Sequence, residues 1–240
     1  MHQRRLPPPV VPEGVMSRED VRTATAIFIP TYQRAHRIAA LVRNVRENTD
    51  GAYHLLFIAV EEDAPTRAAV DATGERCFIN TGLPTYAGAI NAAYHATDEP
   101  YFFCGADDLR FYPGWLTHAY AGMMDGIGVV GVNDLSIADA LDDESATHYL
   151  VRRMYIARYS GVIDQPDTVL YGYDHNYTDM EFIATARARR MYRYCPEAIV
   201  EHLHPLWGKA ADDPIYAKGR RQYEEDTQCY TRRRPLWESR

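Results

Sequence analysis

The sequence predicts an α/β fold in which a mostly parallel sheet is flanked by helices. Three observations lead there. From Ala24 onward, short runs such as "TATAIFIP" and "HLLFIAVE" read as buried strands. Between them lie segments such as "AHRIAALVRNVREN", whose Ile38, Leu41, Val42 and Val45 recur at helical spacing. Strand and helix keep alternating, and consecutive strands joined through helices run parallel with helices on both faces. In an open sheet of this kind, ligands collect at the carboxyl ends of the strands.

The elements follow in order. Residues 1–22 are charged and Pro-rich and predict an extended or disordered arm. The first strand and helix form one β-α unit. "HLLFIAVE" is the second strand, "APTRAAVDAT" a short helix, "RCFIN" the third strand, "AGAINAAYHAT" a helix and "PYFFCGA" the fourth strand. A helix "WLTHAYAGMM" and a strand "IGVVGV" extend the sheet. The regularity then fades through the acidic stretch "DLSIADALDDES", and the middle of the chain reads as loop. A helix over "TDMEFIATARARRM", a strand over "YRYCPEAIVEHLH" and a final helix follow, the last capped by Asp213 with Pro214 in its first position. The expected organisation is one domain over 23–212, with a C-terminal helix and basic tail over 213–240 packed on it.

Composition narrows the partners. The chain has 240 residues, 46% hydrophobic and 25% charged, enough for a sizeable core. A formal charge of -7 argues against a surface built mainly to grip a phosphate backbone. The N-terminal "MHQRRLPPPVVPEG" has no apolar core of a signal sequence, and no run approaches the roughly 18 apolar residues of a membrane helix. Cys77, Cys104, Cys195 and Cys229 lie far apart without a CxxC pair, which predicts free thiols. A soluble, cytoplasmic protein is the expectation.

The chemistry concentrates at strand ends. In "FFCGADDLRF" a buried strand runs into Asp107 and Asp108. Burying one isolated carboxylate costs several kcal/mol, and two neighbours repel unless a cation lies between them. A divalent metal or a hydroxyl-rich ligand answers that need; opening a turn is the simpler alternative. The first strand ends in Pro30, Thr31, Tyr32 and Arg34, which suit a base and a diphosphate. After the second strand, Glu61, Glu62 and Asp63 can accept from a base N–H or a ribose. In "YTDMEF", Thr178 and Glu181 have capping-box spacing, which offers Glu181 a structural role. His202 and His204 share one face of the last strand and, with an aspartate, suit an O/N metal site. Trp115 and the tyrosines of "YLVRRMYIARY" and "VLYGYDHNY" suit an acceptor platform as well as a core.

Together, "AIFIPTYQRAHRIAALVRNV", "VEED", "AGAINAAYHATDEPYFFCGADD" and "TDMEFIATARARRMYRYCPEAIVEHLH" resemble a family 2 glycosyltransferase of the GT-A fold, over about residues 25 to 205. The resemblance implies a Rossmann-like nucleotide-diphospho-sugar transferase. It implies a divalent metal, Mn²⁺ or Mg²⁺, and a nucleoside diphosphate sugar donor, a UDP-sugar first among them. By it, Asp107 faces the ribose or donor sugar, Asp108 binds the metal, and His202 or His204 completes the coordination. Asp179 takes the catalytic-base position, and Glu181 is the second candidate catalytic residue. Apart from the resemblance, Lys209 and the following "AADD" read either as a loop that closes over the diphosphate or as a plain surface linker. The motif reads "ADDL" rather than a strict Asp-x-Asp, which leaves open which aspartate is the ligand.

The expected activity is transfer of the sugar to an acceptor hydroxyl, with inversion; glycan, protein, lipid and modified nucleic acid all stay open as acceptors. A nucleotidyltransferase shares the sheet and the metal, but it usually carries a Gly-rich phosphate loop, and "PTYQRAHR" has no glycine. A non-catalytic nucleotide-sugar or carbohydrate-binding protein is the alternative from a different class.

Overall fold

A computed structural model of the chain describes residues 24–136 and 145–239. The arm expected over 1–22 and most of the acidic stretch lie outside the described residues. β1 (Thr25–Pro30), β2 (Tyr53–Ala59), β3 (Arg76–Ile79) and β4 (Tyr101–Cys104) are parallel, in the order β3-β2-β1-β4. Their connections are α1 (Ala35–Asn48), α2 (Ala64–Asp71) and α3 (Tyr86–Ala96). All four strands therefore end on the same side, which brings the Pro30–Arg34 loop beside Asp107 and Asp108.

Alternation along β1 builds both faces. Phe28 joins Leu56, Ile58, Ile90 and Phe102 on one side, while Ile27 and Ile29 join Ile38, Leu41, Phe57 and Phe103 on the other. Each large side chain so buried is worth about 1.5–3 kcal/mol. Trp115, at the start of α4 (Trp115–Gly122), lies fully buried against Phe103 and Phe111 and donates its indole N–H to Thr49. It belongs to the core rather than to an acceptor platform.

Beyond β4 the sheet is mixed, and the middle of the chain is not all loop. β7 (Tyr149–Arg152) runs antiparallel to β4 and to β6 (Val129–Asn133), and α5 (Arg153–Tyr159) follows it directly. Tyr149 and Val151 enter one core and Leu150 the other, so β7 is covered on both faces. Its arginines obscured it in the sequence. They sit at its end, where Arg153 donates to the carbonyls of Tyr94 and Glu99. β8 (Tyr192–His202) runs parallel to β6 and carries β5 (Leu109–Phe111) on its outer edge, so that Leu109 lies opposite His202.

α6 (Thr178–Ala188) and α7 (Pro214–Arg233) complete the site. The side chain of Asp213 accepts from the amides of Ile215 and Tyr216, the N-cap its position predicts. Farther along α7, buried Asp226 accepts from the amides of Asp174, His175 and Asn176. This fixes the loop that leads into α6. The four cysteines are free, and no helix of the described residues is long and apolar enough to cross a membrane.

Candidate active site

Asp107 and Asp108 form a turn between β4 and β5, and both are buried. The turn expected as the simpler alternative is therefore present, and it leaves both carboxylates buried. Gly105, just before them, continues the ladder by donating to the carbonyl of Phe28 at 3.0 Å. A Cβ there would lie 3.0 Å from that oxygen and 2.9 Å from Ile29 Cδ1, so the close approach of β4 to β1 favours glycine.

One cation serves the two carboxylates. Arg34 Nη1 lies 2.7 Å from Asp107 Oδ1 and 3.2 Å from Asp108 Oδ2. Thr31 donates its hydroxyl to Asp107 Oδ2 at 2.8 Å, and Tyr216 donates to Asp108 Oδ2 at the same distance. Their titrations diverge. Burial and repulsion from Asp108 push Asp107 up, with Arg34 and Thr31 only partly offsetting them. Burial also opposes the charge on Asp108, but His202, Arg34 and Tyr216 outweigh it and hold that carboxyl below the usual range.

The β5–β8 pairing brings His202 to Asp108. The amide of Leu203 donates to the Asp108 carbonyl at 2.8 Å, and His202 Nε2 lies 3.6 Å from Asp108 Oδ1. That oxygen is buried and accepts no hydrogen bond from the described residues. His204 follows on the same side, its ring 5.1 Å from that of His202. Its Nδ1 is already engaged, however, because it accepts from the amide of Leu206 and caps a short 3-10 turn over Pro205–Trp207. Burial and His202 lower its pKa to about 4.

Asp179 stands in the first turn of α6, partly buried. Burial raises its carboxyl to about 6, against the pull of the helix-terminal amides of Met180 and Asp179 and the nearby His202. No ion pair reaches it among the described residues. Glu181 is different. It is buried, accepts from the Tyr173 hydroxyl at 2.6 Å, and pairs with Arg233 through Nε at 2.9 Å and Nη2 at 2.8 Å. The capping box expected from Thr178 and Glu181 does not form. Tyr177, not Thr178, is the N-cap, in a left-handed conformation with φ +67°, and Arg233 draws Glu181 into the protein.

The donor-side residues divide. Tyr32 and Glu62 are exposed and line an open depression with Gln33, His36 and Asp63, while Pro30 closes β1 above it. Lys209 is held away from the aspartates: its Nζ lies 2.6 Å from the Leu135 carbonyl and 3.1 Å from Glu201.

Sequence reasoning missed Tyr216, Asp134 and His148, and gave Asp213 only a capping role. Asp134, buried, accepts from the Thr147 hydroxyl, and its carbonyl accepts from the His202 amide. His148 contacts the Cys104 carbonyl through Nδ1 at 3.0 Å and packs edge-on against His202, its pKa lowered to about 4 by burial and by His202. The signal was a histidine beside apolar "YLV", which marks a covered strand end once β7 is recognised.

Residues 26–174 match the family described as Glycosyl transferase family 2. The chain belongs to that family. As a family 2 glycosyltransferase it is an enzyme of the nucleotide-sugar-dependent class, and its fold is GT-A. Glucosyl-3-phosphoglycerate synthase from Mycobacterium tuberculosis, solved with Mn²⁺, UDP and glucosyl-3-phosphoglycerate, superposes with a TM-score of 0.63 at 12% identity, over 88% of this chain and 80% of that one. A mannosyltransferase from Pyrobaculum calidifontis, solved with GDP-Man and Mn²⁺, gives 0.59 at 16% identity, over 76% of this chain and 57% of its own. No curated protein matches the glycosyltransferase by sequence.

Proposed function

We propose that this glycosyltransferase moves a sugar from a nucleoside diphosphate donor to an acceptor hydroxyl with inversion, using a divalent ion at Asp108 and Asp179 as the base. The observation that carries the reading is Asp108 Oδ1, buried, accepting no hydrogen bond and facing His202 Nε2 at 3.6 Å. An anionic oxygen and an imidazole nitrogen suit Mn²⁺ or Mg²⁺. Among the described residues no group of three or more ligands is gathered for a metal. A cation held by Asp108 and His202 would need further ligands from substrate phosphates and water. Of the two histidines, His202 fits better, since the Nδ1 of His204 is occupied.

A divalent ion there supplies neutralisation of the leaving diphosphate. The chain's own groups do the rest. The depression beside Tyr32 and Glu62 takes the base and ribose, and Asp107, held by Thr31 and Arg34, faces the ribose or the donor sugar. Asp179 accepts the proton of the acceptor hydroxyl as its oxygen attacks the anomeric carbon, and the bond to the diphosphate breaks with its electron pair leaving on the phosphate oxygen. Attack on the face opposite the leaving group inverts the centre. The raised carboxyl of Asp179 suits a base that works near neutral pH. Support for the donor class comes from UDP and GDP-Man in the two similar structures.

The test is a panel of nucleoside diphosphate sugars, with and without Mn²⁺, read by thermal stabilisation and by release of nucleoside diphosphate. Metal-dependent stabilisation with turnover is expected. Stabilisation without release under any acceptor mixture would mark a binding protein, and release indifferent to chelator would remove the metal.

A further inference from the structure

The Asp107–Asp108 pair already has a cation, and the C-terminal helix holds it in place. The Arg34 guanidinium spans both carboxylates, and its Nε also donates to Asp213 Oδ2 at 3.0 Å. The ring of Tyr216 lies against its face, 4.4 Å from the guanidinium carbon to the ring centroid, while the Tyr216 hydroxyl donates to the same Asp108 oxygen that Arg34 approaches. Asp213 caps α7 with Oδ1 and uses Oδ2 for Arg34, so the start of this helix and the strand-end aspartates share one arginine.

We infer that Arg34 is an internal counter-ion of the aspartate pair, competing with a divalent ion for Asp108, and that donor binding draws its guanidinium from Asp108 to the diphosphate. The inference rests on the metal site proposed above. Two cations on one buried carboxylate repel with little screening. Arg34 is buried, so solvent does not relieve that repulsion. A planar guanidinium also matches phosphate oxygens in pairs, which gives Arg34 a better partner once a diphosphate arrives. Metal alone then binds weakly, and metal with nucleotide binds strongly, because the nucleotide removes the competitor.

The test is titration of the full chain with Mn²⁺, followed by the electron paramagnetic resonance of the free ion, alone and with UDP. Arg34→Met removes the charge and keeps much of the length. It should bind Mn²⁺ alone more tightly than wild type, by on the order of tenfold, and gain less from UDP. Tyr216→Phe keeps the ring under Arg34 and removes one of the two donors to Asp108 Oδ2, so a smaller tightening is expected. It also serves, with Arg34→Lys, should Arg34→Met fail to fold. Asp108→Asn should abolish binding in every background, which locates the ion. Wild-type binding that depends on Asp108 but is unchanged in Arg34→Met and Tyr216→Phe would overturn the counter-ion and leave the metal site standing. No Mn²⁺ binding by any variant, with UDP or without, would overturn both.

Discussion

The end of β4 and the start of α6 each present two closely spaced carboxylates, and the protein treats them in opposite ways. Asp107 and Asp108 share Arg34, so their titrations are coupled and diverge within one cluster. Asp179 and Glu181 share nothing. Two residues apart on a helix, they project in different directions, and Arg233, which also pairs with Asp164, reaches Glu181 but not Asp179. What a carboxylate can do is decided by the cation that reaches it. Asp108 Oδ1 accepts no hydrogen bond and Asp179 meets no ion pair among the described residues, whereas Glu181 is engaged by Tyr173 and Arg233.

The largest effect should come from Asp108→Ala. It removes the oxygen that faces His202, and transfer should fall by roughly a thousandfold or more. Calorimetry should then show donor binding that no longer responds to Mn²⁺; turnover that remains metal-dependent would end the assignment. Next is Asp179→Asn, which should retain donor binding but lose transfer by about a hundred- to a thousandfold, since an amide cannot accept the proton. Donor hydrolysis and transfer, measured side by side, separate these two regions.

Glu181→Gln should reverse the pattern. Its partner Arg233 is nearly buried but keeps its pair with Asp164, so the loss should fall below the about 3–5 kcal/mol of a buried pair that leaves one charge uncompensated, and urea denaturation should register it. The rate per folded molecule should change little. A rate loss as deep as that of Asp179→Asn, at unchanged stability, would make Glu181 the base.

The pH dependence sharpens the contrast further. Asp179 carries a pKa raised to about 6, above its ordinary value. The folded protein therefore binds the proton better than the unfolded chain, and Asp179 favours folding below the ordinary carboxylate range and loses that contribution as pH rises through about 6. Activity should move the other way, rising through the same window as the base form appears. Asp108, held low, contributes stability above the ordinary range that is lost only in acid. Melting and kcat/KM profiles should show the opposing trends in wild type; Asp179→Asn should lose the activity rise and the Asp179 share of the stability change, while Asp107, also raised to about 6, keeps its own share.

The smallest effect is expected at Lys209. Its pairing with Glu201 is partly exposed and worth less than about 1 kcal/mol, so Lys209→Ala should barely shift the melting temperature. A much larger loss of donor affinity would show that Lys209 leaves Glu201 for the diphosphate.

The first half of the fold was legible because its signals are local. Ile38, Leu41, Val42 and Val45 mark one face of α1, and all four are buried. The apolar runs of β1 and β4 lie between two cores, and Asp213 with Pro214 marks the start of α7 whatever it packs against. The Asp107–Asp108 pair was readable too, since two adjacent acids after a buried strand need a cation. By itself the sequence determined the alternating α/β order and the acidic strand end; His204, expected on the strand with His202, lies past the end of β8, where its amide turns back to the His202 carbonyl. Tertiary structure alone decided which cation each acid meets. Arg34, Asp108 and Tyr216 are far apart in the chain, as are Glu181 and Arg233, and β5 is too short to announce the pairing that brings His202 to Asp108. Electrostatic roles depend on distances of a few ångströms between such partners, and no local pattern of side chains encodes them.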